Sequence, residues 1–539
     1  MTTPRTIDAD RRILLGTNTP GPRADGLRVV HGTDADEPVW QSPQSVMRRW
    51  TDAERTLYST DAFADDYPEL SARPRAGGSR RARAATSAAV VAVLGFLAVA
   101  PLATLRVAIA VVTLAYVSVL LQRMTLMRKA ATSGAVVGVV DDDARAFPAS
   151  QLPVYTVLVP AYQEPDIIGR VMAFLDELEY PRDKLDVKLL LEADDEATIA
   201  AARRCTAGDH LSIVLVPASE PRTKPKACNY GLTTARGELL TIYDAEDRPE
   251  PLQLRRAAVA FLRGAEETAC LQARLSYHNA HQNLLTRWFT TEYDTWFTWL
   301  LPGLVATGAP IPLGGTSNHL RTRVLVGVGG WDPYNVTEDA DLGVRLARFG
   351  YSVGVLDSVT YEEANSDFVN WVKQRSRWYK GYLQTWLVHM RHPVRLRREI
   401  GLKALVGFTL FVAGTPILAV LNPLFWGLSV LWWLAKPALL AELFPAPVYQ
   451  LGMACWVIGG FGLLYGSLTN ARATGRPELM ACVVTLPAYW AMMSVAAVKA
   501  VVQLVLQPSY WEKTTHGLDR PADDAPHPVT VPAPEMVGQ

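Results

Sequence analysis

The chain has 539 residues, equal numbers of basic and acidic side chains and a pI near 7.1, so its overall charge gives no indication of a nucleic-acid partner. Hydrophobic residues make up 49% of the sequence and are concentrated in long runs. The five cysteines show no CxxC or CxxH spacing, which argues against a zinc site or a disulfide framework and fits a reducing compartment.

The N-terminal segment, residues 1–83, is rich in Arg, Asp, Pro and Gly and shows little periodicity. We expect it to be mostly disordered, with a short helix around 46–58. It contains no apolar stretch of the kind that a cleavable signal peptide has.

Uncharged apolar runs predict the membrane-spanning helices, because a helix needs about 20 such residues to cross a bilayer core of about 30 Å. Residues 84–129 hold two predicted spans, and residues 404–508 hold about four. The count of four arises because the run 404–435 is too long for one span and contains Asn422-Pro423, which we interpret as the break of a helical hairpin. Buried core helices are the alternative.

Basic residues flank the first pair of predicted spans and precede the third span. The positive-inside rule therefore predicts a multi-pass protein of the inner or plasma membrane, with its N-terminus and central region in the cytoplasm. With four C-terminal spans, Arg472 and Arg476 fall in an external loop, against that rule.

Between the two membrane regions, residues 150–370 alternate apolar strand-like runs with helical patterns. Strand patterns cover residues 154–160, 187–193, 212–217 and 238–244, and helical patterns include residues 167–178. This alternation predicts an α/β domain with a parallel sheet and helices on both faces. In such sheets ligands bind beyond the carboxyl ends of the strands, where the polar motifs of this region lie.

Three carboxylates, Asp244, Glu246 and Asp247, end one of these strands. Their mutual repulsion would be relieved by a cation, and oxygen ligands of this kind suit Mg²⁺ or Mn²⁺ bound together with substrate phosphates. A solvated acidic turn is the alternative.

Glu338 and Asp339 precede a segment with helical spacing. An acid in this position can be a helix cap, but a carboxylate held near a sugar hydroxyl is also a good general base. Farther on, Gln374, Arg377 and Trp378 fall within one helical turn of the segment 371–400. Arg can pair with a pyrophosphate and Trp can stack on a sugar ring, whereas an amphipathic helix lying on the membrane is the alternative.

Taken in order, these motifs resemble those of the processive family 2 glycosyltransferases, the cellulose, chitin and hyaluronan synthases and their bacterial relatives. The motifs are VPAYQEP (159–165), EADD (192–195), KPKACN (224–229), DAED (244–247), GGTSN (314–318), TED (337–339) and QRSRW (374–378). The resemblance implies an α/β GT-A-type glycosyltransferase domain inserted between transmembrane α-helices, a UDP-sugar donor, and Mg²⁺ or Mn²⁺ as cofactor.

Carried over position by position, the resemblance implies the following roles. Asp339 is the catalytic base, with Glu338 beside it. The donor is bound by Ala161, Glu164, Glu192, Asp194, Lys224 or Lys226, Asp244, Gln374 and Arg377, and the spacing favours Lys224 over Lys226. The metal is held by Asp244, Glu246 and Asp247, where Glu246 departs from the Asp of the family's DxD motif. The acceptor is contacted by Trp378, Thr316 and Ser317.

The segment after the last predicted span, 509–539, combines a loosely matching gating motif with a Pro-rich tail. Trp511, Lys513 and Thr514 occupy the place of a loop that closes over the nucleotide in related synthases. A plain amphipathic tail is the alternative.

The sequence therefore predicts a hexosyltransferase that polymerises a β-linked polysaccharide from UDP-glucose or UDP-N-acetylglucosamine and translocates it. Its expected partners are the UDP-sugar, a polysaccharide acceptor, the lipid bilayer and accessory or export subunits. The first alternative is a non-processive transferase with a lipid-linked or glycolipid acceptor. The second alternative is a transporter or scaffold with a degenerate domain.

Overall fold

The structure is a computed structural model that describes residues 43–74, 80–205, 208–508, 510 and 512. Its strands are β1 (Val136–Val137), β2 (Tyr155–Ala161), β3 (Leu185–Glu192), β4 (Leu211–Val216), β5 (Leu239–Ile242), β6 (Arg248–Pro249), β7 (Thr268–Tyr277), β8 (Asn318–Arg321) and β9 (Ser352–Glu362).

The α-helices before the last strand are α1 (Pro43–Met47), α2 (Asp52–Leu57), α3 (Phe63–Asp66), α4 (Arg80–Val99), α5 (Pro101–Thr132), α6 (Asp141–Ala146), α7 (Ile168–Asp176), α8 (Glu196–Arg204), α9 (Lys224–Leu232), α10 (Gln253–Arg263), α11 (Leu284–Thr295), α12 (Leu301–Thr307), α13 (Thr322–Gly327) and α14 (Glu338–Arg348).

After the last strand come α15 (Phe368–His389), α16 (Pro393–Phe408), α17 (Gly414–Ala435), α18 (Ala438–Leu443), α19 (Ala446–Ala454), α20 (Gly460–Ala473), α21 (Met480–Val483) and α22 (Leu486–Leu506). Short π-helical turns continue the chain from α2 to α3, from α11 to α12, from α16 to α17 and from α19 to α20.

The strands form one nine-stranded sheet in the order β1-β9-β7-β8-β5-β2-β3-β4, with β6 paired to β9. The sheet is mixed, because β8 runs antiparallel to both β5 and β7. The expectation of a purely parallel sheet is therefore wrong at β8. The helical and strand periods of residues 150–370 were nevertheless sufficient to locate β2, β3, β4, β5 and α7.

The parallel strands β5, β2 and β3 are buried at every position except the half-buried Pro160 of β2, and they place their carboxyl ends side by side. Their burial on both faces explains the continuous apolar runs in the sequence. The motifs that follow these strands consequently meet at one edge of the sheet.

The N-terminal segment corrects the expectation of disorder in part. Residues 1–42 lie outside the described residues, but residues 43–74 form helices that pack on the α/β domain. Phe63 is 2% exposed, and the guanidinium of Arg345 lies 4.4 Å from the centre of its ring. The buried Asp332 carboxylate accepts hydrogen bonds from the Ser71 hydroxyl and the Ala72 N–H at 3.1 and 2.5 Å. This packing was not visible as periodicity because the helices are short.

Within the described residues, four helices are long and apolar enough to cross a membrane: Pro101–Thr132, Pro393–Ala435, Ala446–Ala473 and Leu486–Leu506, while Ser87–Val99 is a shorter apolar helix. The helix α17 runs through Pro423 without a break, so the predicted hairpin at Asn422-Pro423 is wrong. The Asn422 side chain accepts a hydrogen bond from the Tyr116 hydroxyl at 2.6 Å instead of forming a turn. Apolar helices tolerate an internal proline where neighbouring helices satisfy the freed backbone groups.

Candidate active site

A cavity of about 1580 Å³ opens at the carboxyl ends of β2, β3 and β5 and continues between the apolar helices. We call its two parts the donor half and the membrane half. The donor half is lined by the sequence motifs of the catalytic domain. The membrane half is lined by side chains of α5, α17, α19, α20 and α22.

One end of the donor half combines Ala161, Glu164 and Glu192, which all line the cavity. Burial raises the pKa of the Glu192 carboxyl, although the Lys226 amine at 2.9 Å opposes the shift. Asp194 lies outside this lining and forms an ion pair with Arg222 at 2.8 Å. The predicted nucleotide-binding residues Ala161, Glu164 and Glu192 therefore lie together on the cavity wall. Asp194 is linked to that wall through its ion pair with Arg222.

Arg222 is a residue of this region that sequence reasoning missed. Its guanidinium donates a hydrogen bond to the Tyr162 hydroxyl at 3.0 Å and lies 5.6 Å from the centre of that ring. Both side chains line the cavity. A flat ring backed by a guanidinium is a suitable surface for a nucleobase.

The two candidate lysines occupy different environments. The Lys224 amine faces the cavity, donates a hydrogen bond to the Gly315 carbonyl at 2.7 Å and pairs with the Asp244 carboxylate. Burial disfavours the charged amine, but the carboxylates of Asp244 and Glu338 outweigh burial and raise the pKa of Lys224. Lys226 is fully buried and forms an ion pair with Glu192, which indicates a structural role. Of the two lysines, we therefore propose only Lys224 as a donor-binding residue.

The carboxylates of the acidic motif also separate into two groups. Asp244 and Glu246 line the cavity, whereas Asp247 is 1% exposed. The Asp247 carboxylate accepts hydrogen bonds from the Asp244 N–H at 2.7 Å and from the Thr316 hydroxyl. Asp247 therefore stabilises the turn that follows β5. Of the three predicted metal ligands, Asp244 and Glu246 are the two that we propose.

A fourth carboxylate, Glu362 at the end of β9, lines the same cavity and was missed in the sequence. Burial raises the pKa of Glu362 well above its usual range, and Asp247 and Asp244 add to the effect. Burial likewise raises the pKa of Asp247. The cluster carries more negative charge than its surroundings compensate, a condition that a bound cation would relieve.

The donor set fits a hard divalent cation, because it consists of carboxylate oxygens beside a space large enough for phosphates. Among the described residues, however, no three His, Cys, Asp or Glu side chains converge closely enough to hold a metal ion by themselves. This arrangement suits an ion bound through one or two carboxylates together with substrate phosphates, as is usual for Mg²⁺.

Glu338 and Asp339 begin α14 and face the cavity. Burial raises the pKa of both carboxyls, and the nearby Lys224 amine opposes the shift in each. Gly315 lies directly over them: a Cβ there would be 3.4 Å from Asp339 Oδ2 and 3.8 Å from Lys224 Nζ.

A buried charge network holds α14 in place. The Asp341 carboxylate accepts a hydrogen bond from Arg345 Nε at 2.7 Å and lies 2.9 Å from His389 Nε2 on α15. Arg345 also donates to the carbonyls of Val328 and Gly330. The network fixes the position of Asp339 relative to α15, and no periodic pattern of residues indicates such a network.

Gln374, Arg377 and Trp378 line the cavity from α15. Arg377 donates a hydrogen bond to the Glu512 carbonyl at 3.2 Å, so the segment after α22 reaches the donor half. The half-buried Trp378 ring stacks on Tyr293, with 5.9 Å between ring centres, and Arg375 lies 4.6 Å from its centre. These contacts leave part of the indole for an acceptor and hold the rest in place.

The remaining predicted residues have different outcomes. Thr316 lines the cavity but its hydroxyl bonds to the Ile242 carbonyl and Asp247. Ser317 is fully buried, donates to the Thr360 hydroxyl at 2.7 Å and does not line the cavity, which argues against an acceptor contact. Trp511, Lys513 and Thr514 lie outside the described residues, so the gating motif stays a prediction.

Comparison with known proteins shows that part of the chain is similar to glycosyltransferases. Residues 239–445 match the family model "Glycosyl transferase family group 2". The chain is 26% identical over 258 residues to the probable glycosyltransferase YdaM of Bacillus subtilis (strain 168), an alignment covering 46% of this chain and 60% of that protein. It is 26% identical over 416 residues to the beta-monoglucosyldiacylglycerol synthase of Synechocystis sp. (strain ATCC 27184 / PCC 6803 / Kazusa), covering 74% of this chain and 81% of that protein.

The chain is also 29% identical over 242 residues to the probable glucomannan 4-beta-mannosyltransferase 7 of Oryza sativa subsp. japonica, covering 43% of this chain and 41% of that protein. The first and third of these alignments thus span less than two thirds of the relative. Among solved structures, the mannosyltransferase PcManGT of Pyrobaculum calidifontis, in complex with GDP-Man and Mn²⁺, matches with 20% identity and a TM-score of 0.46, covering 75% of this chain and 99% of that chain.

Residues 239–445 therefore resemble the glycosyltransferase family group 2, and the expected α/β fold is confirmed with a mixed sheet. Insertion of the apolar helices into a membrane, the metal, the UDP-sugar donor and processive polymerisation stay predictions.

Proposed function

We propose that this protein is a family 2 glycosyltransferase, specifically a membrane-embedded inverting hexosyltransferase that uses a UDP-sugar and an acceptor held in the membrane half of the cavity. The observation that carries the proposal is the continuity of one cavity from Asp339 and Lys224 to the apolar helices α5, α17 and α22. An acceptor in the membrane half reaches the catalytic carboxylates without crossing the domain.

The reaction is a single in-line displacement at the anomeric carbon. Asp339 takes the proton from the acceptor hydroxyl. The neighbouring Glu338 carboxyl interacts electrostatically with the Asp339 carboxylate. The Lys224 and Arg377 cations stabilise the charge that grows on the departing diphosphate. Inversion of an α-linked donor yields a β-linked product.

Asp244 and Glu246 would hold Mg²⁺ or Mn²⁺, which would neutralise part of the diphosphate charge when bound. Asp247 acts only on the shape of this turn, since its carboxylate bonds to the Asp244 N–H and the Thr316 hydroxyl. We expect EDTA to stop sugar transfer and added Mg²⁺ or Mn²⁺ to restore it.

A lipid-held acceptor fits this cavity best, because apolar side chains of the helices form most of the lining of the membrane half. The relative with the long alignment, named as a beta-monoglucosyldiacylglycerol synthase, supports the same acceptor class. This is the first alternative of the sequence analysis.

Polymerisation of a β-linked polysaccharide is the second candidate. It is supported by the Gln374, Arg377 and Trp378 motif on the cavity wall and by a relative named as a probable glucomannan 4-beta-mannosyltransferase. In this version the same cavity would hold the growing chain.

The test uses the purified full-length chain in lipid nanodiscs, a panel of labelled UDP-sugars with GDP-mannose for comparison, and a membrane lipid extract. Products are separated into lipid-extractable material, polymer and free sugar, and Asp339→Asn serves as the control. Label in the lipid fraction supports the main proposal, and label in polymer supports the second candidate. Absence of transfer from every donor, with metal present, contradicts both.

A further inference from the structure

Three further charged side chains among the described residues line the cavity: Arg123 on α5, Glu292 on α11 and Arg375 on α15. Their surroundings are apolar helices and aromatic rings. Charged groups in such a place are costly and are retained where they face a partner or a ligand.

Two of the three charges neutralise each other. The Glu292 carboxylate accepts two hydrogen bonds from the Arg375 guanidinium, one of them at 3.0 Å, and a third from the Tyr489 hydroxyl at 2.6 Å. Arg375 is in addition stacked over the rings of Trp378 and Phe289. This bidentate pair is complete without any ligand.

Arg123 is held differently. Its guanidinium donates a hydrogen bond to a neutral acceptor, the Thr415 hydroxyl, at 3.3 Å. Glu292 is within electrostatic reach of Arg123, but one carboxylate then serves two guanidinium groups. This part of the wall therefore carries one positive charge in excess.

Two tyrosines of α15 relate Arg123 electrostatically to the catalytic candidate Asp339. Tyr379 and Tyr382 are one helical turn apart and both line the cavity. Burial raises the pKa of Tyr379, against the charges of Arg375 and Arg123, while burial and the Asp339 carboxylate raise the pKa of Tyr382. Arg123 thus acts electrostatically on the first ring and Asp339 on the second, and all four side chains line the same cavity, so one acceptor can reach both Arg123 and Asp339.

We propose that the acceptor is an anionic lipid whose phosphate binds Arg123 and whose headgroup carries the hydroxyl that Asp339 deprotonates. Guanidinium binds phosphate oxygens in a bidentate manner, and the apolar helices of the membrane half would hold the acyl chains. This inference rests on the proposed function and specifies its acceptor class.

The transfer step balances with the groups already named. The headgroup oxygen forms a bond to the anomeric carbon of the sugar as the bond from that carbon to the diphosphate oxygen breaks. The hydroxyl proton moves to the Asp339 carboxylate, and the electron pair of the broken bond leaves with UDP. The lipid phosphate on Arg123 takes no part in bond making.

The test compares two acceptors that each carry free hydroxyls, phosphatidylglycerol and uncharged diacylglycerol, in phosphatidylcholine nanodiscs containing the full-length chain. We expect labelled sugar on phosphatidylglycerol. Arg123→Gln should raise the KM for phosphatidylglycerol by about 10- to 100-fold, since a hydrogen-bonded charge is lost. The KM for the UDP-sugar should not change, and Arg123→Lys should restore part of the affinity.

Arg128→Gln is the matched control, because Arg128 lies on the same helix, is exposed and does not line the cavity. Equal use of diacylglycerol, or an Arg123→Gln variant with an unchanged KM for lipid, would overturn the inference. So would phosphatidylglycerol that stimulates transfer without itself becoming labelled. Transfer to a neutral lipid or to polymer leaves the proposed function intact, whereas the absence of transfer to any acceptor by the unmodified chain contradicts the proposed function itself.

Discussion

At the residue scale, Asp339 is the side chain on which the proposed reaction depends. It faces the cavity at the start of α14, beside Glu338 and close to Gly315. We expect Asp339→Asn to lower the turnover number by about 100- to 10,000-fold, because the amide cannot accept the acceptor proton. UDP affinity, measured by calorimetry, should be nearly unchanged. A variant with normal turnover and weakened UDP binding would place Asp339 in the donor site instead.

The same carboxyl predicts a pH dependence. Burial raises the pKa of Asp339 to about 6, and a general base works only in its ionised form. The kcat/KM should therefore fall as the pH drops through about 6, by roughly tenfold per pH unit below it. An acidic limb near pH 4, the ordinary range of an aspartate, would show that another group controls the rate.

Substitution of Trp378 tests whether this residue contributes to acceptor binding. Its ring is held by Tyr293 and Arg375, so it offers a rigid surface on the cavity wall. By analogy with the stacking of a base on an aromatic ring, we expect Trp378→Ala to weaken acceptor binding by about 5- to 150-fold, as measured from the acceptor KM. Trp378→Phe should retain most of the affinity and UDP binding should persist. An unchanged acceptor KM would reduce Trp378 to a packing residue.

Some site residues could be predicted from the sequence because their motif alone determines their function. Others could not, because their function depends on burial and on contacts with distant segments. The motif order located Lys224, Asp244 and Asp339, because each follows a strand or begins a helix at the cavity. The motif could not separate Lys224 from the fully buried Lys226, or Asp244 from Asp247, since burial and hydrogen-bond partners depend on distant segments. Arg222 and Glu362 were missed for the same reason.

At the scale of elements, the N-terminal helices α1–α3 act as a buttress for the catalytic domain. The Tyr230 hydroxyl on α9 donates a hydrogen bond to the Asp52 carboxylate at 3.0 Å, and α9 begins with Lys224. The Asp332 carboxylate accepts hydrogen bonds from Ser71 and Ala72 at the end of the same N-terminal segment. Short helices of this kind obtain their stability from tertiary packing rather than from propensity, which is why the composition of residues 1–83 predicted disorder.

Phe63 offers a direct test of this buttress. Phe63→Ala should lower the free energy of unfolding by about 3–5 kcal/mol, because it leaves a cavity under Arg345 and removes the ring that the guanidinium covers. Thermal unfolding of the full-length chain in detergent measures the effect. The matched control is Leu57→Ala, on the same segment but 37% exposed, which should change stability by less than about 0.5 kcal/mol. Equal melting temperatures for the two variants would show that the segment does not stabilise the domain.

At the scale of the whole molecule, the helices pair in a way that accounts for the charges flanking them. The first turns of α5 meet α18, the short helix after α17, where Arg106 Nε donates a hydrogen bond to the Glu442 carbonyl at 2.6 Å. The helix α20 returns to the catalytic domain, where Arg476 donates to the Tyr277 carbonyl and lies 3.6 Å from Asp294. Arg472 and Arg476 then lie on the same side as the domain, and the conflict with the positive-inside rule, which followed from the predicted hairpin at Pro423, is removed.

The last apolar helix, α22, decides the position of the C-terminus. Both of its ends contact α15: the ring of Tyr489 lies 5.1 Å from that of Trp371, and the Lys380 amine donates a hydrogen bond to the Gln507 carbonyl at 3.4 Å. A helix that begins and ends on the catalytic domain does not carry the chain to the opposite side of a membrane. We therefore expect reporters fused before Met1 and after Gln539 to read as cytoplasmic, and a reporter inserted between α18 and α19 to read as external. An external reading at Gln539 would mean that α22 crosses the membrane completely, and it would separate the segment 509–539 from the Arg377 side of the donor half.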